Sequence, residues 1–362
     1  MTKVKWLGSR ADNITKDIPD YDILLSPPGP TTDKTFEGDG LYVTNSLRIA
    51  AQLGNVCTYK CTYCTPFDYD GRFKWPDINR TKRLVDRIHE VYTSPPFNKD
   101  TIIWEILGGE ITTWKYVEEF ISYLKEKGHY IQLITNGVRS ERWWKTYGKM
   151  FSHVTLSYHP EHANYKHMTN VANILLNQQV AADMLVLMYP PTWNLCLKAI
   201  DYMNKNGNFT IHPKKLHDLQ NEEGKSKSWK YERGQEEWLA GDRMIHKPYP
   251  FSSSDNKSHY TMLQIKSLED GTFEANPVDA GELVNKGYNN WKGWLCNIGI
   301  DTLFINPEGF IRPAAQCFIK EKSYGNWLFL EPEDIQFPYK PSICKYDSCH
   351  CVHDIRARKE KL

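Results

Sequence analysis

The chain has 362 residues, enough for one large domain with an appendage and a substantial core. Lys and Arg number 45 against 44 Asp and Glu, a formal net charge of +1, so no global basic field exists to hold a polyanion and nucleic acid is not the expected partner. No stretch approaches the ~20 apolar residues of a membrane span, and the N-terminal segment lacks the apolar core of a signal peptide. A soluble, cytoplasmic protein with no membrane partner is expected.

Residues 1–44 are rich in Pro, Gly, Asp and Thr without a sustained period and read as a surface extension or lid. Over 45–216 short apolar runs predict strands at 46–53, 101–107, 130–135, 153–158, 180–189 and 209–216. Between them, helical spacing is clearest at Leu84, Val85, Ile88, Val91 and at Tyr116, Val117, Phe120, Ile121, Leu124, the second run closed by Gly128. Three more helices are predicted near 140–150, 163–178 and 193–206. Six strands alternating with five helices form a β/α repeat with a parallel sheet, which either curls or winds doubly. Residues 217–290 break the rhythm: a polar start is followed by a hairpin pattern turning near Asp270-Gly271. Residues 291–362 hold a second predicted hairpin, turning at 307–309, and end in a basic tail (Arg356, Arg358, Lys359, Lys361) that reads as a solvated charge run.

Eight of the nine cysteines lie in two groups, which in a chain without a secretion signal points to metal ligation before disulfides. The exception, Cys196, sits on an apolar helical face with Leu195, Ala199, Ile200 and Met203 and reads as a buried inert thiol. The first group, Cys57, Cys61 and Cys64, has C-x3-C-x2-C spacing directly after the first predicted strand. Three thiolates on one loop can hold three corners of a cubane cluster and leave one iron open to another ligand. A closed zinc site would need a fourth ligand from elsewhere, and three cysteines cannot pair among themselves. The second strand ends in Gly108-Gly109-Glu110, where two glycines allow close backbone approach and a carboxylate can accept from an ammonium group.

The cysteine spacing, with Tyr63 before the last thiol, resembles the signature of the radical S-adenosylmethionine (SAM) superfamily, and Gly108-Gly109-Glu110 is similar to that family's Gly-Gly-Glu motif. The resemblance implies an α/β fold, a partial (β/α)6 parallel barrel over 45–216, with its reaction face at the strand C-termini. It implies a SAM-cleaving [4Fe-4S] cluster on Cys57, Cys61 and Cys64, and a SAM amino group held at Gly108–Glu110. Asn136 and Ser157 would then be polar contacts to the nucleoside, with Tyr189 near adenine. His159, Glu161 and His162, on the same face, are candidate acid–base groups.

Cys296, Cys317, Cys344, Cys349 and Cys351 supply five thiols where a cluster needs four. They resemble the SPASM and twitch appendages of the same superfamily, the shorter twitch form matching better, which implies a small C-terminal domain over 291–362 with an auxiliary [4Fe-4S] cluster. Cys296 and Cys317 would be ligands, with two more from Cys344, Cys349 and Cys351; four thiolates also suit zinc. The implied activity is reductive cleavage of SAM to a 5′-deoxyadenosyl radical and hydrogen abstraction from a substrate. That substrate is expected to be a peptide or protein side chain or a small carbohydrate-like molecule, oxidatively modified, with flavodoxin or ferredoxin as electron donor. The rival readings are a SAM-dependent transferase or redox-neutral rearrangement with a structural second cluster, and a noncatalytic metal-binding scaffold.

Overall fold

The computed structural model describes residues 6–7, 40–42, 45–216, 219–220, 226–227, 229–241, 243–247, 250, 264–266, 289–315, 317, 323–338, 340–349 and 351–360. Six parallel strands form the centre: β1 (Ser46–Ala51), β2 (Thr101–Ile106), β3 (Tyr130–Thr135), β4 (His153–Tyr158), β5 (Ala181–Leu187) and β6 (Thr210–Lys214), each paired with the next. Five helices connect them: α1 (Ile78–Thr93), α2 (Val117–Glu126), α3 (Glu141–Tyr147), α4 (Tyr165–Asn177) and α5 (Trp193–Asn206). Their starts are set by local chemistry. Asp77, Ser140 and Asn164 accept from backbone N–H groups of the first turns of α1, α3 and α4. Gly128, at φ +76°, ends α2 in the left-handed conformation.

The choice between a curled and a doubly wound sheet is decided by which strand positions meet the helices. Leu47, Ile49 and Ala51 of β1 and Ile102, Trp104 and Ile106 of β2 share one core with Leu84 and Ile88 of α1, Phe120 of α2, Trp144 of α3, Leu175 of α4 and Met203 of α5. All five helices thus cover one face. The register places Ala50, Glu105, Gln132 and His153 in one row on the opposite face, which is polar. A sheet with helices outside and a polar concave face is a partial (β/α)6 barrel. Its lumen is open at Ile134, 46% exposed at the upper end of β3.

The C-terminal segment extends this sheet. After β7 (Leu295–Cys296), strand β8 (Thr302–Ile305) pairs parallel to β1, with Thr302 opposite Arg48 and Ile305 opposite Ala51. The hairpin expected to turn at 307–309 is formed by β8 and β9 (Phe310–Arg312), and β10 (Gly325–Asn326) completes a nine-stranded sheet. β7 itself lies between β11 (Ser342–Ile343) and β12 (Lys359–Glu360) in a second sheet. Of the expected 217–290 hairpin, only 264–266 is described, and it pairs with 40–42; the turn near Asp270-Gly271 lies outside the described residues. Apart from short strands at 6–7 and 40–42, the N-terminal extension lies outside them too.

The basic tail corrects the reading of a solvated charge run. Arg356 Nη1 donates to Glu105 at 2.7 Å, and Arg358 Nε donates to Asp301 at 2.9 Å. Lys359 is 2% exposed. Asp301 also pairs with Lys99, both side chains being buried, and those cations outweigh burial to hold its carboxyl below the usual range. Partners 251 and 57 residues upstream, invisible to a local charge count, turn Arg356 and Arg358 inward, while Lys361 lies outside the described residues.

Candidate active site and second thiol group

The loop that follows β1 is shaped before any ligand binds. Asn55 is fully buried, and its side chain donates to Phe67 O at 2.7 Å and Asp70 Oδ1 at 2.8 Å while accepting from Phe73 N–H at 2.9 Å. One amide thus fastens the loop to the turn beyond it. On the other side Glu110 N–H donates to Val56 O at 2.8 Å. Gly109, at φ +52°, lies so close that a Cβ would stand 2.6 Å from that carbonyl oxygen. The close approach that the second glycine allows is to the cysteine loop. A Cβ on Gly108, at φ +86°, would collide with the Gln52 side chain.

The loop brings its three thiols together. Cys64 N–H donates to Cys61 O at 3.0 Å, turning the chain between them. Cys57 Sγ accepts from Tyr59 N–H at 3.4 Å and from Asn136 Nδ2 at 3.8 Å. Burial pushes Cys57 up, Cys61 to about 11 and Cys64 to about 12, and in each the neighbouring thiols or carboxylates add to it. Without metal all three are therefore thiols at neutral pH, and a bound metal must displace their protons. The donor set fits a cubane with three protein corners.

Around the thiols stand the other candidate residues. Glu110 is buried, and its carboxylate accepts from Thr112 Oγ1 at 2.6 Å, Thr135 Oγ1 at 2.8 Å and Asn136 N–H at 2.7 Å, tying the ends of β2 and β3 together. Burial raises its pKa despite those donors. Asn136 bridges this carboxylate and the Cys57 thiol. Ser157 is buried in β4, on the lumen face beside Leu185. His159 Nδ1 lies 3.3 Å from Cys61 Sγ and 3.2 Å from Tyr63 Oη, and burial, then His162, lowers its pKa to about 4. Glu161 accepts from Thr62 N–H at 2.7 Å and Thr62 Oγ1 at 2.6 Å, while the His162 ring packs on Tyr59. Cys61 Sγ, a Glu161 oxygen and a His162 nitrogen lie within 4.8 Å of one another.

Sequence reasoning missed three contributors. Asn55 carried no signal beyond adjacency to the loop. Thr62, between two ligand-type cysteines, joins Glu161 to Tyr189, whose hydroxyl lies 2.9 Å away. Trp229, from a stretch read as polar, closes an aromatic wall with Tyr63 and Tyr189. Cys196 is fully buried against α5's own core face.

The second group forms at the other end of the sheet. β8 runs parallel to β1, so Cys296, which precedes β8, lies beyond the start of β1, whereas the first cysteine loop follows its end. Cys296, Cys317 and Cys344 pack in one apolar cluster with Ile298, Ala314, Tyr346 and Ala357. Burial pushes Cys344 to about 11 and Cys349 well up, and the nearby Cys296 acts on both. Burial and Asp354 push Cys351 to about 12; it opens a one-turn helix, Val352–Ile355. From that helix His353 Nδ1 lies 2.9 Å from Glu105 Oε2 in the lumen row. Burial raises Glu105, but Arg48, Arg356 and His353 outweigh it and hold the carboxyl well below the usual range.

No helix among the described residues is long and apolar enough to cross a membrane. No curated protein matches the sequence. Solved structures that match include native anSMEcpe with bound AdoMet, at 16% identity and TM-score 0.49 over 80% of both chains. Streptococcus suis SuiB bound to precursor peptide SuiA matches at 12% identity and TM-score 0.47, over 80% of this chain and 64% of that one. BtrN in complex with AdoMet and 2-DOIA matches at 12% identity and TM-score 0.38 over 80% of both. Likenesses this loose say nothing about substrate. The family described as the Radical SAM superfamily matches residues 52–212, which begin just before the cysteine loop and end within β6. The match covers less than half of the chain, and the cofactors it supports are a [4Fe-4S] cluster and S-adenosylmethionine.

Proposed function

We propose that this chain is an enzyme that oxidatively modifies a peptide or protein side chain, or a small carbohydrate-like molecule, held in the barrel lumen. The observation that carries the reading is the disposition of two thiol groups off opposite ends of β1, with the polar lumen face between them. Cys57, Cys61 and Cys64 would hold the SAM cluster, and Cys296, Cys317, Cys344 and Cys349 a second, fully protein-ligated one, with Cys351 left over. Bound there, the first cluster would supply the electron for reductive cleavage of SAM, and the second an acceptor for an electron from the substrate. Balance then requires the substrate to give up one hydrogen atom, one further electron and one proton, a two-electron oxidation.

The chain's own residues supply the setting. Tyr63, Tyr189 and Trp229 wall the cysteine loop and exclude water from it. Asn136, between Glu110 and Cys57, and Gly108–Glu110 would hold the SAM amino acid moiety. Gln132, Thr155 and His212, partly exposed on the lumen face, offer polar contacts to a substrate. A small redox protein such as flavodoxin or ferredoxin would reduce the first cluster, and the cytoplasm is the compartment such chemistry requires.

The test is anaerobic reconstitution with iron and sulfide, then reduction, addition of SAM and assay of 5′-deoxyadenosine, against Cys57→Ala/Cys61→Ala/Cys64→Ala. About eight irons per chain and loop-dependent 5′-deoxyadenosine are expected. Bound zinc with no SAM cleavage under any reductant would overturn the reading. SAM consumption without net oxidation of a substrate would point to the redox-neutral chemistry instead.

A further inference from the structure

Lys359 stands directly opposite Cys296 in the antiparallel pair of β12 and β7. Directly opposed residues project to the same face of a sheet, so the ammonium and the thiol share a side. The side chain is buried, 2% exposed, and Nζ lies 5.4 Å from the centroid of the fully buried Trp291 ring. Its donors go to three neutral carbonyls, Ile355 O at 2.7 Å, Ala357 O at 2.8 Å and Asp354 O at 3.4 Å. Among the described residues no carboxylate lies within ion-pair distance of Nζ. The other described tail cations differ: Arg356 has Glu105 and Arg358 has Asp301.

A buried cation without an anion is costly to fold around, by several kcal/mol. By register the thiol on its side of the sheet is Cys296, a proposed ligand of the second cluster. Burial pushes Cys296, Cys344 and Cys349 up, and Lys359 pulls all three down.

We propose that Lys359 is the built-in counter-charge of the second thiol group, a buried cation that raises the reduction potential of the iron–sulfur cluster bound there. The proposal rests on the second-cluster reading given above. A cluster on four thiolates is a net anion, and adding an electron makes it more so, hence a fixed cation beside it favours the reduced form. Its role is to make the cluster a better acceptor of the substrate's electron than its buried, anionic ligand set would otherwise allow.

The experiment uses the full chain in the Cys57→Ala/Cys61→Ala/Cys64→Ala background, so that any cluster present is the second one. Iron and sulfide are counted first, and the midpoint potential is then measured by reductive titration followed by electron paramagnetic resonance. Two neutral variants are compared: K359Q, which keeps donors for the carbonyls, and K359M, which keeps the length of the stem. K359R keeps the charge. The expected result is that, at a fixed potential, the reduced-to-oxidised ratio falls about tenfold in the neutral variants, about 59 mV for a one-electron couple. K359R stays within about threefold of the parent. Loss of the cluster in a neutral variant whose circular dichroism is unchanged, with retention in K359R, is the stronger form of the same result. If one neutral variant does not fold, the other decides. Full iron and an unchanged midpoint in a folded neutral variant would overturn the proposal. Absence of any cluster in the background chain with Lys359 intact would instead remove the second-cluster reading, and the proposal with it.

Discussion

Gly109 and Val56 are locked together: the Gly109 backbone lies where a Cβ would be 2.6 Å from Val56 O, and the same carbonyl accepts the next residue's N–H. The first cysteine loop therefore depends on a glycine at the end of a different strand. Gly109→Ala combines a left-handed φ, worth about 1–2 kcal/mol, with a backbone collision. The variant is expected to lose the iron of the first site and SAM cleavage while the rest of the fold survives. Gly128→Ala is the control, since Gly128 has a similar φ but nothing within 4 Å of its Cβ position. It should cost about 1 kcal/mol and keep its iron. Equal iron in the two variants would refute the assignment.

Cys349 and Cys351 are separated by one residue but face different surroundings, the first near Cys296 and Cys344, the second near Asp354 and Glu105. Cys349→Ala should lose about four of eight irons, whereas Cys351→Ala should keep nearly all of them. Iron quantification after anaerobic reconstitution decides, and the reverse pattern would exchange the two roles.

Asp301 is the shared anion of Lys99 and Arg358, with Lys99 and Asp301 buried to within 1%. Asp301→Asn leaves two cations short of their partner and should lower stability by about 3–5 kcal/mol. Urea unfolding of the metal-free chain measures it. A loss under about 1 kcal/mol would mean that solvent reaches the pair and the junction of β8 with β1 is looser than described.

His129 accepts from Trp104 Nε1 at 3.0 Å through Nδ1 and lies 2.9 Å from His89 Nδ1 through Nε2. Burial, then His89 and Lys127, lower its pKa to about 3, with Asp86 opposing. The unfolded chain, with a pKa near 6.5, binds this proton first as pH falls, so stability from this site is complete above about pH 6.5 and declines towards pH 3. Between pH 7 and pH 5 the site should account for about 2 kcal/mol of lost stability. His129→Gln, which cannot titrate, should show a shallower fall by that amount in urea titrations at the two pH values. Parallel curves would exclude the effect.

The strands and helices of residues 45–216 were readable because each carries its own period, and β3 and β4 fall where the apolar runs predict. Periodicity left curl against double winding open, because that depends on which alternate residues meet helices, a property of pairing. The first cysteine loop was legible for a different reason: three ligand-type residues within eight positions leave little else to explain them. The tail was misread because its charges find Glu105, Asp301 and buried backbone carbonyls, partners set by the folded chain and not by a local charge count. Trp229 was hidden for the same reason, lying in a polar stretch and packing on Tyr189 from a distant strand end.

The parallel pairing of β8 with β1 also sets a timetable. The edge of β1 stays open while the ribosome makes everything between residue 51 and residue 302. An open strand edge is a template for unwanted pairing, and a parallel partner so distant in the chain is slow to arrive. The nascent barrel is therefore most vulnerable to aggregation late in synthesis, and Gln52 N–H, just before the loop that follows β1, finds its acceptor only when Ile305 has emerged. A chain truncated before β8 would be an aggregating fragment with an exposed strand edge where a working half-enzyme might have been sought.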